Sequence, residues 1–429
     1  MSEPVAQCSA ECRQVWWGAN ANAALWALGN GLVSTTLITY LAKDLGAEGM
    51  QVSVILACPQ LAGVFRLVAP RIIELHPNRK RFAILAFLLS GFLLLALPWL
   101  ARPGTLPEKS HSLAALILLW AGWHFWMYLA LIPFYSWLGD WTNDDDRAKR
   151  LGLRESFLVG ATILGTVLAA VITKAWKQSH SEAPSWEGFL VAAMAGGVCV
   201  LLSVLPLGFM PHYPRKTPSR ATAELEIWSA LCDRHYWPLL AFNVCFSFAN
   251  GITGAALAIY PYKFLGLSAE FMLGLQSYTR TAQVALAPVA GSWLRSVGHA
   301  GPMTAAQLLV ACGPLFYLLA SKEEPQWVYG AWTCWIAYVV LNIGLPSLML
   351  KLSPGGNSPG YIAVNMASSG LAFAAASILG GWLLDQYAKT VWTLPFNAGS
   401  LNIFGVVIVV GVALRMVTVV WLWFLREHE

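Results

Sequence analysis

The side chains best placed for chemistry are polar or charged groups inside long apolar runs. The stretch "LQSYTRTAQVAL" puts Gln276, Arg280 and Gln283 on one face of a helix, because these positions lie three or four residues apart. A stripe this polar is too costly to turn toward lipid, so it faces neighbouring helices or a wet cavity. We expect Arg280 either to bind a solute or coupling ion there, or to be a structural arginine with hydrogen-bonded neighbours.

Similar stripes of amides and aromatic rings occur in other apolar runs. Together they suit a neutral or amphipathic organic molecule, such as a sugar, nucleoside or heterocycle, because rings stack and amides bond to hydroxyls. The alternative is that Asn and Ser only join neighbouring helices. The candidate cavity residues are Trp26, Asn30, Trp123, His124, Asn243, Asn250, Gln276, Arg280, Trp335, Tyr338 and Asn342.

A dense cluster of charge occupies residues 141–155, "WTNDDDRAKRLGLRE". Eight of these fifteen side chains are charged, whereas 11% of all residues in the chain are. The two signs are interleaved within this short stretch. By itself such a cluster can be a solvated charge run that only sets the orientation of the chain in the membrane. Arg154 and Glu155 differ from the rest because they lie a turn inside the next apolar run.

The elements that carry these residues are predicted to be membrane-spanning helices. Of the 429 residues 57% are hydrophobic, and the 11% that are charged are less than half of the share, roughly a quarter, found in soluble domains. A spanning helix needs about 20 apolar residues. Runs of this kind occur at 15–41, 50–74, 82–101, 113–139, 151–174, 189–210, 235–264, 270–293, 302–320, 327–350, 361–387 and 402–425.

These runs predict an all-α integral membrane protein with twelve transmembrane helices in two six-helix halves. The halves are expected at 1–210 and 235–429, joined by a cytoplasmic linker at 211–234. Leu225, Trp228 and Leu231 share a face near the end of the linker, which favours a short helix lying along the membrane interface.

Basic residues fall mainly on one side of the predicted membrane. Both termini and alternate loops together hold fifteen Lys and Arg residues, and the opposite loops hold eight. The positive-inside rule places the larger set in the cytoplasm. We therefore expect a multi-pass protein of the plasma membrane, the inner membrane of a bacterium, with both termini cytoplasmic. The net charge of +5 follows from this bias and requires no nucleic-acid partner.

The two halves also repeat each other in sequence. The stretch "APRIIELHPNRKR" from Ala69 matches "APVAGSWLRSVGHAGP" from Ala287, 218 positions later. Here the chain resembles the major facilitator superfamily of transporters, over essentially its whole length. The family pattern G-x-x-x-D-R-x-G-R-R corresponds in this sequence to Pro70, Glu74, Pro77, Arg79, Lys80 and Arg81. The series W…D…R…G…R is present as Trp137, Asp140, Arg147, Gly152 and Arg154.

The resemblance implies alternating access between two six-helix halves. Carboxylates and guanidiniums of the cytoplasmic loops lock the halves of such transporters together in one state and release them in the other. By the resemblance, this gate network comprises Glu74, Arg79, Lys80, Arg81, Asp140, Arg147, Arg154 and Glu155. The resemblance also implies that the last span, which carries Arg415, packs on the outside of the bundle.

Ion coupling stays open at this point. A proton-coupled symporter of this superfamily usually has an acid near the membrane midplane, and the acids of this chain lie near span ends. His124 could titrate near neutrality, but a buried histidine satisfied by a neighbour is the alternative. Facilitated diffusion therefore remains an alternative to coupled transport.

Other classes of protein fit the sequence less well. Metalloprotease, nucleophile-elbow and P-loop patterns are absent, so we do not expect an enzyme. A non-transporting membrane sensor or receptor on a transporter fold is the alternative, because the loop motif is degenerate. We expect a secondary active or facilitative transporter of a small organic solute. It should be a monomer in membrane lipid, with no cofactor, no bound metal and no nucleic acid.

Overall fold

The computed structural model describes residues 10–68, 78–139, 141, 144–211, 227–353, 359–393 and 400–425. The α-helices are α1 Ala10–Val33, α2 Thr35–Asp44, α3 Gly49–Gly63, α4 Arg79–Leu100, α5 Lys109–Gly139, α6 Asp144–Ser179, α7 Ser185–Leu202, α8 Leu205–Phe209, α9 Trp237–Lys263, α10 Ala269–Val297, α11 Ala300–Cys312, α12 Leu315–Leu319, α13 Trp327–Cys334, α14 Tyr338–Lys351, α15 Pro359–Gln386, α16 Ile403–Val417 and α17 Val419–Trp423. Turns of 3₁₀-helix span Val64–Val68 and Trp335–Ala337, and strands β1 Val391–Thr393 and β2 Ser400–Asn402 form an antiparallel hairpin.

The helices confirm the predicted class of membrane protein. Among the described residues, ten helical segments are long and apolar enough to cross a bilayer. The two other predicted spans correspond to α3 with its following 3₁₀ turn, and to α10. At 29 residues α10 is long enough to span, but it carries the polar stripe of Gln276, Arg280 and Gln283 and is therefore less apolar.

Contacts between residues divide the chain into two compact units. Unit 1 comprises residues 1–34 and 68–218, and unit 2 comprises 35–67 and 219–429. The division falls at Ser34, between α1 and α2, where φ is +30°. The segment that follows Ser34 thus packs within unit 2, although the sequence repeat assigns it to the first half. The repeating halves themselves stay a prediction.

Unit 1 is held by close helix crossings. Helix α1 packs against α6 and α7, and α4 packs against α5 and α7. A Cβ atom at Gly165 would overlap the carbonyl oxygen of Leu28, and one at Gly31 would overlap that of Thr162. Since small residues let the backbones of membrane helices approach, these glycines permit the contact between α1 and α6.

Unit 2 is built around α9. This helix packs against α15, α16 and α3, while α3 also packs against α15 and α10 against α14. Gly251 of α9 lies against the backbone of Phe373, and Gly380 of α15 lies against that of Ile252. These crossings fix the helices whose polar side chains meet inside the unit.

The described part of the predicted interfacial helix is a helical turn at 227–232. Trp228 and Leu231 are exposed there, and Ala230 is buried. Leu225 lies outside the described residues. The helix in the membrane interface stays a prediction, with an exposed apolar pair in favour of it.

Candidate solute-binding cavity

A cavity of about 630 Å³ lies inside unit 2. It is bounded by residues of eight α-helices and one 3₁₀ turn of that unit, and none of these residues belongs to unit 1. The lining residues are Thr36, Leu56, Gln60, Ser247, Asn250, Gly254, Leu257, Gln276, Thr279, Arg280, Gln283, Trp332, Trp335, Tyr338, Asn342, Phe373 and Arg415. The volume is in the range of cavities that enclose small organic ligands.

The polar stripe of α10 forms one wall. Gln276, Arg280 and Gln283 all line the cavity, as expected for positions on one helical face. Arg280 donates from Nη1 to Gln283 Oε1 at 3.3 Å, and Gln283 donates from Nε2 to the carbonyl oxygen of Trp335 at 2.9 Å. Thr36 donates its hydroxyl to Gln276 Oε1 at 3.2 Å. The stripe is therefore held in place by neighbouring side chains and backbone.

A second arginine lines the cavity from the last span. Arg415 is 3% exposed and lines the cavity, although the sequence analysis did not include it among the candidate cavity residues. Its Nε donates to Asn250 Oδ1 at 3.1 Å and its Nη2 donates to Thr253 Oγ1 at 2.6 Å. The Tyr338 hydroxyl donates to the same Asn250 oxygen at 2.9 Å. Asn250 thus joins α9, α14 and α16 at the cavity wall.

Aromatic rings form a further wall. Trp332 and Trp335 meet edge to face with ring centroids 5.2 Å apart, and Trp335 stacks on Tyr317 at 6.0 Å. Trp332 also donates from Nε1 to the Tyr317 hydroxyl at 3.1 Å. These contacts fix two indoles of the lining in position, where an apolar ring of a ligand could pack against them.

Six of the predicted cavity residues come together in this cavity: Asn250, Gln276, Arg280, Trp335, Tyr338 and Asn342. Asn243 is buried nearby and donates to the side chain of Asn365, so it joins α9 to α15 instead of lining the space. Sequence reasoning omitted Thr36, Gln60, Thr279, Trp332, Phe373 and Arg415 from the site. The spacing of Thr279 from Gln283, and of Trp332 from Trp335, was a usable signal for two of them.

The other four predicted cavity residues lie in unit 1 and do not line this cavity: Trp26, Asn30, Trp123 and His124. The His124 ring packs against Trp120 and Trp123, with centroids 4.6 and 4.4 Å away. Neither nitrogen of His124 has a hydrogen-bond partner among the described residues, and the same holds for the indole nitrogens of Trp26 and Trp123. His124 is thus buried, but it is not satisfied by a neighbour as the alternative had supposed.

Two members of the predicted gate network, Arg79 and Lys80, donate hydrogen bonds to neutral groups. Arg79 donates from Nη1 to the Ser136 hydroxyl at 2.9 Å, and Lys80 donates to the carbonyl oxygens of Gly208 and Met210, both at 2.7 Å. Lys80 therefore caps the C-terminal end of α8, where the helix dipole favours a cation.

Arg154 is buried within unit 1, while Arg81 and Glu155 are exposed. Arg154 donates from Nη1 to the Tyr135 hydroxyl at 2.9 Å, and its guanidinium carbon lies 5.3 Å from the centre of the Phe134 ring. Glu74 and Asp140 lie outside the described residues, as does the side chain of Arg147. The role of this network stays a prediction.

Comparison with protein families decides the class of the molecule. A family model described as Major Facilitator Superfamily matches residues 21–350, more than half of the chain. The chain belongs to the Major Facilitator Superfamily. It is therefore a membrane transporter and not an enzyme, as the sequence predicted, and the findings give the sensor alternative no support.

Solved transporters of the superfamily share the fold. The nucleoside transporter NupG is 12% identical, with 98% of this chain and 100% of that chain covered and a TM-score of 0.68. The xylose transporter XylE from E. coli is 13% identical, with 97% of each chain covered and a TM-score of 0.68. A POT family transporter in complex with 5-aminolevulinic acid is 15% identical, with 94% of this chain and 95% of that chain covered and a TM-score of 0.66. No curated protein matches the chain in sequence.

Proposed function

We propose that the unit 2 cavity is the solute site of this transporter, and that the solute is a small organic molecule with a ring. The observation that carries this proposal is a cavity of about 630 Å³ whose walls carry both amide and aromatic side chains. Amide and guanidinium groups would bind hydroxyl, carbonyl or ring-nitrogen atoms of the solute, and the indoles of Trp332 and Trp335 would pack on its ring.

The fold relatives support this size and chemistry. A nucleoside transporter, a xylose transporter and a POT family transporter bound to 5-aminolevulinic acid all handle small organic molecules. At 12–15% identity they share the fold alone, so the solute class is argued from the cavity.

The charge cluster at 141–155 and the basic residues at 79–81 are proposed to form the cytoplasmic gate of the transport cycle. Support comes from the interleaved charges of the cluster. It also comes from Arg154, whose guanidinium is buried inside unit 1 next to Tyr135. The cluster then has a mechanical role, because ion pairs that form in one state and break in the other bias the equilibrium between the two.

The topology is proposed from charge bias. Fifteen Lys and Arg residues against eight favour cytoplasmic termini and a cytoplasmic linker at 211–234. A bacterial inner membrane, a monomeric state in lipid and halves at 1–210 and 235–429 complete the proposal.

Uptake into proteoliposomes tests the proposed site. Purified full-length protein is reconstituted and assayed with radiolabelled nucleosides, pentoses, sugar acids and aromatic acids. Tyr338→Phe removes a hydroxyl at the cavity wall, and Tyr278→Phe makes the same change at an exposed position of α10 outside the lining. We expect slower uptake for the first variant and unchanged uptake for the second.

Equal uptake by both tyrosine variants and by wild type would contradict the proposed site. Accumulation against a gradient that an uncoupler abolishes would establish proton coupling, whereas equilibration alone would establish facilitated diffusion.

A further inference from the structure

The charged groups that the structure describes in the cavity wall are cationic. Arg280 and Arg415 line it, and no Asp or Glu occurs among the described lining residues. Unit 2 has seven carboxylate side chains within the described residues, and all lie elsewhere: Asp44, Glu48, Asp233, Glu270, Glu323, Glu324 and Asp385. The wall therefore carries two positive charges without a compensating carboxylate in the lining.

Arg415 is buried, so its positive charge has a high free-energy cost when no negative charge lies near it. Within the described residues its two side-chain acceptors, Asn250 and Thr253, are neutral, and its Nη1 is buried without a hydrogen-bond partner there. A cation within a membrane protein is expensive unless an opposite charge or several dipoles offset it. A negative charge that entered the cavity would lower this cost.

Arg280 provides the group that such a charge could touch. Its side chain lines the cavity, and within the part of the chain that the structure describes it donates one hydrogen bond, from Nη1 to Gln283. A guanidinium has five N–H donors in a planar fork, which matches the two oxygens of a carboxylate or phosphate. The remaining donors of Arg280 are thus suited to an oxyanion.

From these observations we infer that the transported solute is an organic anion, with a carboxylate or phosphate group at Arg280 and a ring or other apolar body against Trp335. The inference rests on the proposed function of the cavity and narrows its solute class. Arg415, which also lines the cavity and is held by Asn250 and Thr253, acts as a fixed positive charge, and Arg280 makes the direct contact.

Protection of an introduced cysteine tests this inference. Thr36→Cys places a thiol in the lining beside Gln276, one turn of α10 from Arg280. In purified full-length protein, labelling by neutral methyl methanethiosulfonate is followed by mass spectrometry of the peptide that contains residue 36. The competing probes are three matched pairs: benzoate and benzamide, D-glucuronate and D-glucose, and uridine 5′-monophosphate and uridine.

We expect the anion of at least one pair to protect the thiol at a concentration roughly tenfold below that of its neutral partner, because charge-assisted hydrogen bonds are stronger than neutral ones. The pair that responds distinguishes a carboxylate from a phosphate ester. Arg280→Gln should abolish the preference, while Arg295→Gln, an exposed position on the same helix outside the lining, should preserve it.

Three results would overturn the inference: equal or better protection by the neutral members, no protection by any anion while the reagent labels the thiol, or an anion preference that survives Arg280→Gln. A thiol at residue 36 that no reagent reaches would instead refute the proposed function, because the cavity would not be open to solutes.

Discussion

The carboxylate of Asp385 lies at the N-terminus of α3 and accepts the backbone N–H of Gly49 at 2.7 Å through Oδ1. Its other oxygen, Oδ2, accepts the N–H of Met50 at 2.8 Å. The first N–H groups of a helix have no partner within the helix, and the helix dipole favours an anion beside them. One side chain of α15 therefore completes a helix more than three hundred residues earlier in the chain.

We predict that Asp385→Ala lowers the free energy of unfolding by about 2 kcal/mol, because two N–H groups of α3 lose a charged acceptor. Asp385→Asn retains one acceptor oxygen and should cost less. Thermal unfolding in detergent measures both. Glu182→Gln, at an exposed position in the turn between α6 and α7, is the control and should leave the melting temperature unchanged. An Asp385→Ala protein as stable as wild type would show that the cap has no energetic role.

Substitutions of Asn250 and of Arg415 are predicted to have different effects on the free energy of unfolding. Asn250→Ala removes the oxygen that accepts both Arg415 and Tyr338, so it should cost about 2–4 kcal/mol by leaving a buried cation short of a partner. Arg415→Met removes the buried cation itself, and its fold should be as stable as wild type or more so. Denaturant or thermal unfolding compares the two. A larger loss of stability in Arg415→Met than in Asn250→Ala would contradict this explanation.

Glycine at the crossing of α1 and α6 is predicted to be essential for packing. Gly165→Ala should destabilise unit 1, since the added Cβ meets the backbone of Leu28. Gly160→Ala lies on the same helix where a Cβ meets nothing, so it should be neutral or stabilise by up to about 1 kcal/mol through helix propensity. Thermal unfolding of the two variants gives the comparison, and similar melting temperatures would argue against close packing here.

The backbone at Ser34 is predicted to be strained. Its φ of +30° is uncommon for a residue with a side chain, and glycine adopts such values without a steric penalty. Ser34→Gly should therefore raise stability or leave it unchanged, whereas Ser53→Gly in the interior of α3 should lower it by about 1 kcal/mol. A clear loss of stability in Ser34→Gly would indicate that the Ser34 side chain matters more than the backbone.

Arg154→Ala is predicted to reduce transport at least about tenfold while the protein still inserts into the membrane, because the proposed gate loses a buried cation. Lys177→Ala, on the exposed far end of the same helix, is the matched control. Uptake is measured at equal amounts of reconstituted protein. Unchanged uptake by Arg154→Ala would remove Arg154 from the gate.

Most of the fold could be predicted from composition, because apolar runs of about 20 residues leave few alternatives to spanning helices. The break between α1 and α2 at Ser34 could not be predicted, since serine is common within membrane helices and no neighbouring residue indicates the change in φ. The packing of 35–67 within unit 2 also depends on contacts with α15 that are distant in sequence, such as the one between Asp385 and Gly49.

The cavity could be predicted in part. Helical spacing identified the stripe from Gln276 to Gln283, because residues three or four positions apart lie on one helical face and therefore share the same surroundings. Arg415 was left out of the predicted cavity, because the family resemblance implied that the last span packs on the outside of the bundle. The cost of a charge in lipid alone predicts a buried, hydrogen-bonded arginine, which is how the structure places it.

The most direct test of the account is a structure of the reconstituted transporter with its transported solute bound. We predict density for the solute in the unit 2 cavity, with a polar group at Arg280 and its body against Trp335 and Tyr338. Solute density elsewhere in the chain, with the surroundings of Arg280 free of solute, would contradict the assignment of this cavity as the site of transport.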